Sequence, residues 1–130
     1  MAMLCMRPKM PSSLIPVQSI AKHWNPFEVS PWGVLVSKED VLHALSTGRL
    51  IDYPGSDDHA GRIAYLVQNE TQDAIDIDVG CPSFGNFVDW AILDGNHRLA
   101  AAIYSEKAYI AADVAGELDH AEALFGVEIE

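Results

Sequence analysis

The apolar and polar positions along the chain change period several times, which predicts a domain that mixes helices with strands. A helix is predicted for Lys38–Thr47, because its apolar residues fall on one side. Ser37, with Asp40 three residues later, has the pattern of a capping box, and Gly48 is the expected C-terminal stop. The sequence therefore predicts both ends of this helix.

Two further amphipathic helices follow from the same period. One is predicted to have Ser56 as its N-cap, Asp57 and Asp58 in its first turn, and Asn69 at its end. Its predicted buried stripe consists of Ala60, Ile63, Ala64 and Val67. The last helix is predicted to end near Gly126. Its buried stripe consists of Leu118, Ala121, Leu124 and Phe125.

Shorter apolar runs predict strands. Residues 74–79 alternate with period two, which is typical of a half-buried strand. An apolar run at 88–93 leads into a helix-forming run at 96–105, and a further strand is predicted at 109–114. Along the chain, the predicted helix at 96–105 therefore lies between the predicted strands at 88–93 and 109–114.

The chain has 130 residues, of which 49% are hydrophobic, so we expect one folded domain with a single core. Residues 1–13 are Met- and Pro-rich without periodicity and are predicted to form a flexible arm. The domain is therefore predicted to span 14–130. It opens with a short strand at 14–20, in which Pro16 favours an edge position.

The composition also indicates the cellular compartment in which the protein is expected. No apolar stretch reaches membrane-spanning length, so no membrane association is expected. The first residues lack the basic-then-apolar order of a secretory signal. Cys5 and Cys81 are too few and too far apart for a disulfide framework or a Cys-rich zinc site. A cytoplasmic location is expected.

Acidity is the strongest compositional fact. Eight Lys and Arg against 19 Asp and Glu give a net charge of −11 and a pI near 4.6. Binding to duplex DNA depends on cations that displace counterions from the phosphates, so this charge disfavours direct DNA binding. Two interpretations stay open: the charge keeps a small protein soluble, or it meets a basic protein partner.

The most informative stretch lies where the apolar run at 88–93 meets the next helix. It reads Asp94-Gly95-Asn96-His97-Arg98. The free N–H groups at a helix N-terminus favour an anion, and an arginine there can grip phosphate or carboxylate with two hydrogen bonds. We therefore predict phosphate binding by Gly95, Asn96, His97 and Arg98. The alternative is a capped helix with two exposed polar side chains.

Each residue of this turn has more than one explanation. Gly95 suits a positive φ or the close approach of a ligand. Asn96 can cap the helix, which we favour, or bind the ligand. His97 can donate to phosphate or serve as an acid or base; alternatively it caps the helix or is a semi-buried histidine with satisfied hydrogen bonds. Arg98 can hold an anion, or it can lie at the surface and pair with Asp94 or Glu106.

Two carboxylates are candidates for catalysis and metal binding. Asp94 precedes the glycine and could hold Mg²⁺ together with ligand phosphates, although it could equally cap the helix. Asp78 becomes a candidate metal ligand or general base if its strand face borders the turn; otherwise it lies on a solvated face. His59 and Arg62 share one helix face, but nothing in the sequence directs them to the turn.

The segment from Leu93 to Ala102, followed by residues 109–114, resembles the signature of the ParB/sulfiredoxin-like superfamily. In that group a Gly-x-x-Arg turn opens a helix and a short strand follows. The resemblance implies a small α/β (α+β) domain with a short mixed sheet flanked by helices, whose turn binds nucleotide phosphates. Asn96 stands where sulfiredoxins have their catalytic cysteine, so sulfinic acid repair is not expected. His97 stands where partition proteins usually have a second arginine.

The superfamily contains partition proteins that bind CTP, ATP-using sulfiredoxins, a free-serine kinase and reported nucleases. By this resemblance the chain is expected to bind a nucleotide, such as ATP or CTP with Mg²⁺, or another phosphorylated small molecule. If it is an enzyme, phosphoryl transfer or nucleotide hydrolysis is the expected class, with His97, Asp94 and Asp78 as catalytic candidates. One alternative is a non-enzymatic acidic protein that inhibits or regulates a macromolecular partner. The other is a ParB-like nuclease.

Overall fold

The computed structural model describes residues 12–129, which form five α-helices and four strands. The strands are β1 (Ser13–Pro16), β2 (Ile75–Asp78), β3 (Ile92–Asp94) and β4 (Tyr109–Ala115). The helices are α1 (Val17–Ala21), α2 (Lys38–Thr47), α3 (His59–Gln68), α4 (Asn96–Tyr104) and α5 (Leu118–Phe125). A short 3-10 helix covers Pro82–Phe84. Residues 1–11 of the predicted arm lie outside the described residues, and Ser13 already belongs to β1.

The four strands form one mixed sheet in the order β1-β4-β2-β3. The neighbours β4 and β2 are parallel, whereas β1 pairs antiparallel with β4 and β3 antiparallel with β2. The predicted α/β class with a short mixed sheet flanked by helices is thus confirmed. Pro16 lies in β1 at the edge of this sheet, as its missing N–H favours.

Several element boundaries differ from the predictions. The strand predicted at 14–20 ends at Pro16, and α1 follows, because Val17 and Ile20 are buried at the three-residue spacing of a helix. The strand predicted at 88–93 is shorter and begins at Ile92. Ser56 does not cap α3. Its hydroxyl accepts from the N–H of Asp58, and the Asp58 side chain caps the helix instead.

Helix α4 is the central element of the core. Its residues Leu99, Ala102 and Ile103 pack towards the sheet with α1 and α5, in one cluster of buried side chains. Ala100 and Ala101 belong to a second cluster with α2 and α3. Because the α3 side of this second cluster includes Ala60 and Ala64, the two helices approach closely along small side chains.

Among residues 12–129, no helix has both the length and the apolar character that crossing a membrane requires.

Candidate functional site

Gly95 forms the turn between β3 and α4 and is the N-cap of the helix, with φ +98°. A Cβ on this residue would overlap Ile75 Cγ2 and lie 2.8 Å from Ile75 Cβ. The close approach that demands glycine here is therefore made by the side chain at the start of β2. Ligand access is not needed to explain this glycine.

Asn96 is engaged by the protein itself. Its Oδ1 accepts a hydrogen bond from Trp90 Nε1 at 2.8 Å, and its Nδ2 donates to the Ile92 carbonyl at 3.3 Å. These bonds fix the loop before β3 against the start of α4. The expectation that the Asn96 side chain caps α4 is wrong, since Gly95 is the N-cap residue and no side chain of residues 12–129 caps this helix.

The first turn of α4 differs from those of its neighbours. Helix α2 has the predicted capping box between Ser37 and Asp40, and Asp58 caps α3 through the Gly61 N–H at 3.0 Å. In α4 the structure records neither a side-chain cap nor an acidic residue in the first turn. The positive end of the α4 dipole is therefore left without a carboxylate cap from residues 12–129.

His97 in the first turn of α4 meets His59, the first residue of α3. His59 Nδ1 lies 3.0 Å from His97 Nε2, and the ring centroids are 5.2 Å apart with an interplanar angle of 15°. These values describe two nearly coplanar imidazoles joined edge to edge by one hydrogen bond. We call His59 and His97 the imidazole pair.

Trp32 covers the imidazole pair. Its ring lies 4.9 Å from the His59 ring and 4.6 Å from the His97 ring, at angles of 14° and 15°. Both imidazoles thus stack on one aromatic side chain from the loop that precedes α2. This stack excludes water from one face of the pair and restricts both ring orientations.

The hydrogen bond within the pair restricts its protonation. One of the two facing nitrogens must donate and the other must accept. The hydrogen bond can therefore form only while at least one imidazole is neutral. Burial, together with the positive charges of His59 and Arg62, lowers the pKa of His97 from 6.5 to about 4. At neutral pH His97 is therefore a neutral imidazole.

A neutral pair has two outward-facing nitrogens, Nε2 of His59 and Nδ1 of His97. When one of these carries the proton, the internal hydrogen bond requires the other to be an acceptor. When the accepting outer nitrogen takes up a proton, the internal proton crosses the 3.0 Å gap and the other outer nitrogen releases its own, which exchanges these roles. The arrangement can therefore take a proton at one end and release one at the other, which is the chemistry of an acid–base pair.

Arg62 lies on the same helix as His59 and contributes positive charge to the site. Its Nη1 donates to the Ile51 carbonyl at 3.2 Å, and its guanidinium lies over the Tyr65 ring at 5.6 Å. The sequence placed His59 and Arg62 on one helix face, and the structure brings that face to His97. Trp32 carried no prediction, because its contacts come from a loop without periodicity.

Arg98 points to a different side of α4 from His97. Its Nη2 donates to the Ala74 carbonyl at 3.2 Å and lies 3.5 Å from Asp94 Oδ2. Its Nε is buried and has no hydrogen-bond partner within the described part of the chain. Successive helical residues are rotated by about 100°, so neighbouring side chains diverge. The side chains of His97 and Arg98 therefore do not lie together, as the predicted binding of one phosphate by both would require.

The two candidate carboxylates are not brought together. Asp94 is exposed at the end of β3 and pairs across the strands with Asp76. Asp78 lies at the other end of β2, where its Oδ1 accepts from the Gly80 N–H at 2.9 Å. The antiparallel pairing of β2 and β3 places the turn beside Ile75, away from Asp78. Within the described part of the chain, no group of three or more His, Cys, Asp or Glu side chains could hold a metal ion.

Fold and site together define a small α/β domain with an uncapped helix N-terminus beside an imidazole pair. Comparison with known proteins finds no matching family model, no matching curated protein and no matching solved structure. The resemblance to the ParB/sulfiredoxin-like superfamily stays a prediction from the sequence.

Proposed function

We propose that the chain binds a phosphorylated small molecule, a nucleotide in the first instance, at the N-terminus of α4 beside the imidazole pair. The observation that carries the proposal is the contact between His59 and His97 at the uncapped start of this helix. Free N–H groups supply hydrogen bonds to phosphate oxygens there, and a neutral imidazole adds a donor without an extra charge to desolvate.

The neighbouring charges support an anionic ligand. Arg62 adds a guanidinium on the α3 side, whereas the α3 N-terminus itself is occupied by the Asp58 carboxylate. The ligand is therefore assigned to α4 and not to α3. Trp32 stacks on both imidazoles and so holds the rings of the pair in fixed orientations for a ligand. The resemblance of residues 93–102 to nucleotide-binding turns points to the same ligand class.

Any catalysis at this site would use the imidazole pair as the base. In hydrolysis, the oxygen of a water attacks the terminal phosphorus, the bond to the leaving oxygen breaks, and an outer imidazole nitrogen takes the proton of the water. Magnesium would come with the phosphates, and Asp94 is the predicted carboxylate that lies at the turn. Asp78 has no part in this proposal because its carboxylate is used at the opposite end of β2.

Isothermal titration tests the proposal with inorganic phosphate, ATP, CTP and GTP, each with and without Mg²⁺. We expect saturable binding that His97→Ala abolishes and that His43→Ala leaves unchanged. His43 lies exposed on α2 and provides the matched control. Absence of binding for all four ligands, with protein near millimolar concentration, would refute the proposal. Equal binding by His97→Ala and the wild type would show that the ligand binds elsewhere on the protein.

A second candidate function is the regulation of a basic protein partner through the acidic surface. The net charge of −11 favours it, and so does the exposure of two large apolar side chains, Phe84 and Phe87, at 52% and 75%. We expect such binding to weaken with salt, to survive His97→Ala and to be lost on Phe87→Ser. The nuclease alternative is tested by nicking of plasmid DNA.

A further inference from the structure

Cys81 lies just after β2, where the chain turns into the short 3-10 helix. Its side chain is 6% exposed. Its N–H donates to the Asn86 carbonyl at 2.9 Å, and its carbonyl accepts from the Asn86 N–H at 3.1 Å. Cys81 is disulfide-bonded, and the sequence contains one other cysteine, Cys5. Two cysteines are too few for a disulfide framework but sufficient for one bridge, so the partner that the chain offers lies in residues 1–11, the N-terminal segment.

The direction of β1 brings the N-terminal segment towards Cys81. Because β1 is antiparallel to β4, the chain that precedes β1 continues towards the end of β4. At that end Ala115 pairs with Asp78, three residues before Cys81. Ser12 already follows this course, since its hydroxyl donates to Asp113 Oδ1 at 2.9 Å. We call the surface around Asp78, Cys81 and Asp113 the sheet end.

The N-terminal segment is long enough to reach Cys81. Cys5 is seven residues before Ser12, and at about 3.3 Å per extended residue this stretch spans about 23 Å. By the strand register, Cys81 lies two strands away from Ser12 and five residues further along. With about 4.8 Å between strands and about 3.3 Å per residue, that separation is about 19 Å. The bond can therefore form without any shift of β1.

The charges of the N-terminal segment are complementary to those of the sheet end. The segment contains Arg7 and Lys9 and no acidic residue. At the sheet end Asp78 and Asp113 supply carboxylates, and no Lys or Arg of residues 12–129 forms an ion pair with either of them. Opposite charges attract at a protein surface, so the two cations favour the course that the direction of β1 indicates.

We propose that a disulfide between Cys5 and Cys81 holds the N-terminal segment across the sheet end, with Arg7 and Lys9 beside the carboxylates there. The occupant of this surface is thus part of the same chain. The bond forms when each thiol loses one hydrogen and a small disulfide, such as oxidised glutathione, is reduced to two thiols. In a reducing compartment both cysteines stay thiols, and the segment is no longer held.

The test uses protein purified without reductant and equilibrated with oxidised glutathione. Mass spectrometry is expected to find the chain about 2 Da lighter than after reduction by dithiothreitol, and a non-reducing digest is expected to yield Cys5 linked to Cys81. Because the closed loop is long, dithiothreitol is expected to lower the melting temperature by about 10 °C or more. Cys5→Ser is expected to melt at the temperature of the reduced wild type, with no further change on adding dithiothreitol.

Matched variants separate the bond from the charges. Met3→Ser places the same polar residue elsewhere in the segment and is expected to keep the bond and the melting behaviour of the wild type. Lys9→Gln is expected to speed reduction by dithiothreitol about twofold to fivefold, because it removes one ionic contact. Lys22→Gln removes the same charge from an exposed residue outside the sheet end and is expected to leave the rate unchanged.

Three outcomes would overturn the proposal. They are two free thiols after equilibration, a Cys81 linked to a second molecule, and a Cys5→Ser variant that melts like the oxidised wild type. Equal reduction rates for Lys9→Gln and the wild type would overturn the docking of the segment on the sheet end. His97→Ala is expected to form the bond normally, which separates this proposal from the phosphate site.

Discussion

Gly95→Ala is expected to destabilise the protein through the fold of the turn, with or without a ligand. Two costs add. A residue with a Cβ at φ +98° costs about 1–2 kcal/mol. The new methyl group overlaps Ile75 Cγ2 and lies 2.8 Å from Ile75 Cβ, and such overpacking in a core costs about 1–3 kcal/mol. The total is about 2–5 kcal/mol, a large share of a typical stability of about 5–15 kcal/mol.

Gly126→Ala is the matched control. Gly126 also has positive φ, at +71°, but a Cβ there meets no heavy atom of the described residues within 4 Å. This variant carries the conformational cost alone, about 1–2 kcal/mol. The difference between the two variants therefore measures the contact with Ile75.

Urea unfolding of both variants, followed by tryptophan fluorescence, measures the two free energies. A double-mutant cycle with Ile75→Ala adds a second check, because that change removes Cγ2 and should relieve part of the Gly95→Ala cost. If Gly95→Ala costs no more than Gly126→Ala, the close packing at Ile75 is not what demands glycine. The requirement for glycine would then rest on the positive φ, which Gly95 shares with Gly126.

Three further outcomes are expected. The pKa of His97 is about 4 in the folded chain, below its ordinary value of 6.5, so the unfolded state binds more protons between these pH values. The contribution of His97 to the free energy of unfolding is fully present above pH 6.5. It is lost as the pH falls towards 4, by roughly 1–2 kcal/mol after solvent screening. Urea unfolding across this range should show a shallower acid loss for His97→Asn than for the wild type. Asp58→Ala should lower the free energy of unfolding by about 1–2 kcal/mol, because it removes the α3 cap and the partner of Arg49. Asp58→Asn keeps a capping oxygen and should cost less. Equal losses for the two variants in urea unfolding would exclude a capping role. Asn96→Ala should cost about 1–3 kcal/mol because Trp90 Nε1 loses its acceptor; an unchanged urea midpoint and unchanged Trp90 emission would contradict that hydrogen bond.

Local signals predicted much of the fold. Both ends of α2 were predicted because Ser37, Asp40 and Gly48 act on backbone groups a few residues away. The start of α3 was misplaced, because Ser56 and Asp58 are both good caps and the choice depends on a tertiary contact. Asp58 caps the helix while it also pairs with Arg49, nine residues earlier in the chain. Partial burial raises the pKa of Asp58, but the hydrogen bonds from Arg49 and Gly61 and the charges of Arg49 and His59 lower it overall.

The candidate site was predictable only in part, because its key contact is non-local. The sequence indicated the turn, the glycine and the helix after it, and all three are present. It also placed His97 and Arg98 on one ligand, although the rotation of about 100° per helical residue sends them to different sides. The partner of His97 is 38 residues away, and no period or spacing within a segment connects His59 with it.

The closeness of the two histidines follows from the packing of their helices. Ala60 and Ala64 of α3 are buried with Ala100 and Ala101 of α4, so no bulky side chain holds the helices apart. Both helices begin at the same end of this contact, which is why their first-turn imidazoles meet at hydrogen-bond distance. The alanine run after His97, which by itself indicates only a helix, thus sets the geometry of the imidazole pair. The small side chains in the interface between α3 and α4 therefore make the polar contact of His59 with His97 at its end possible.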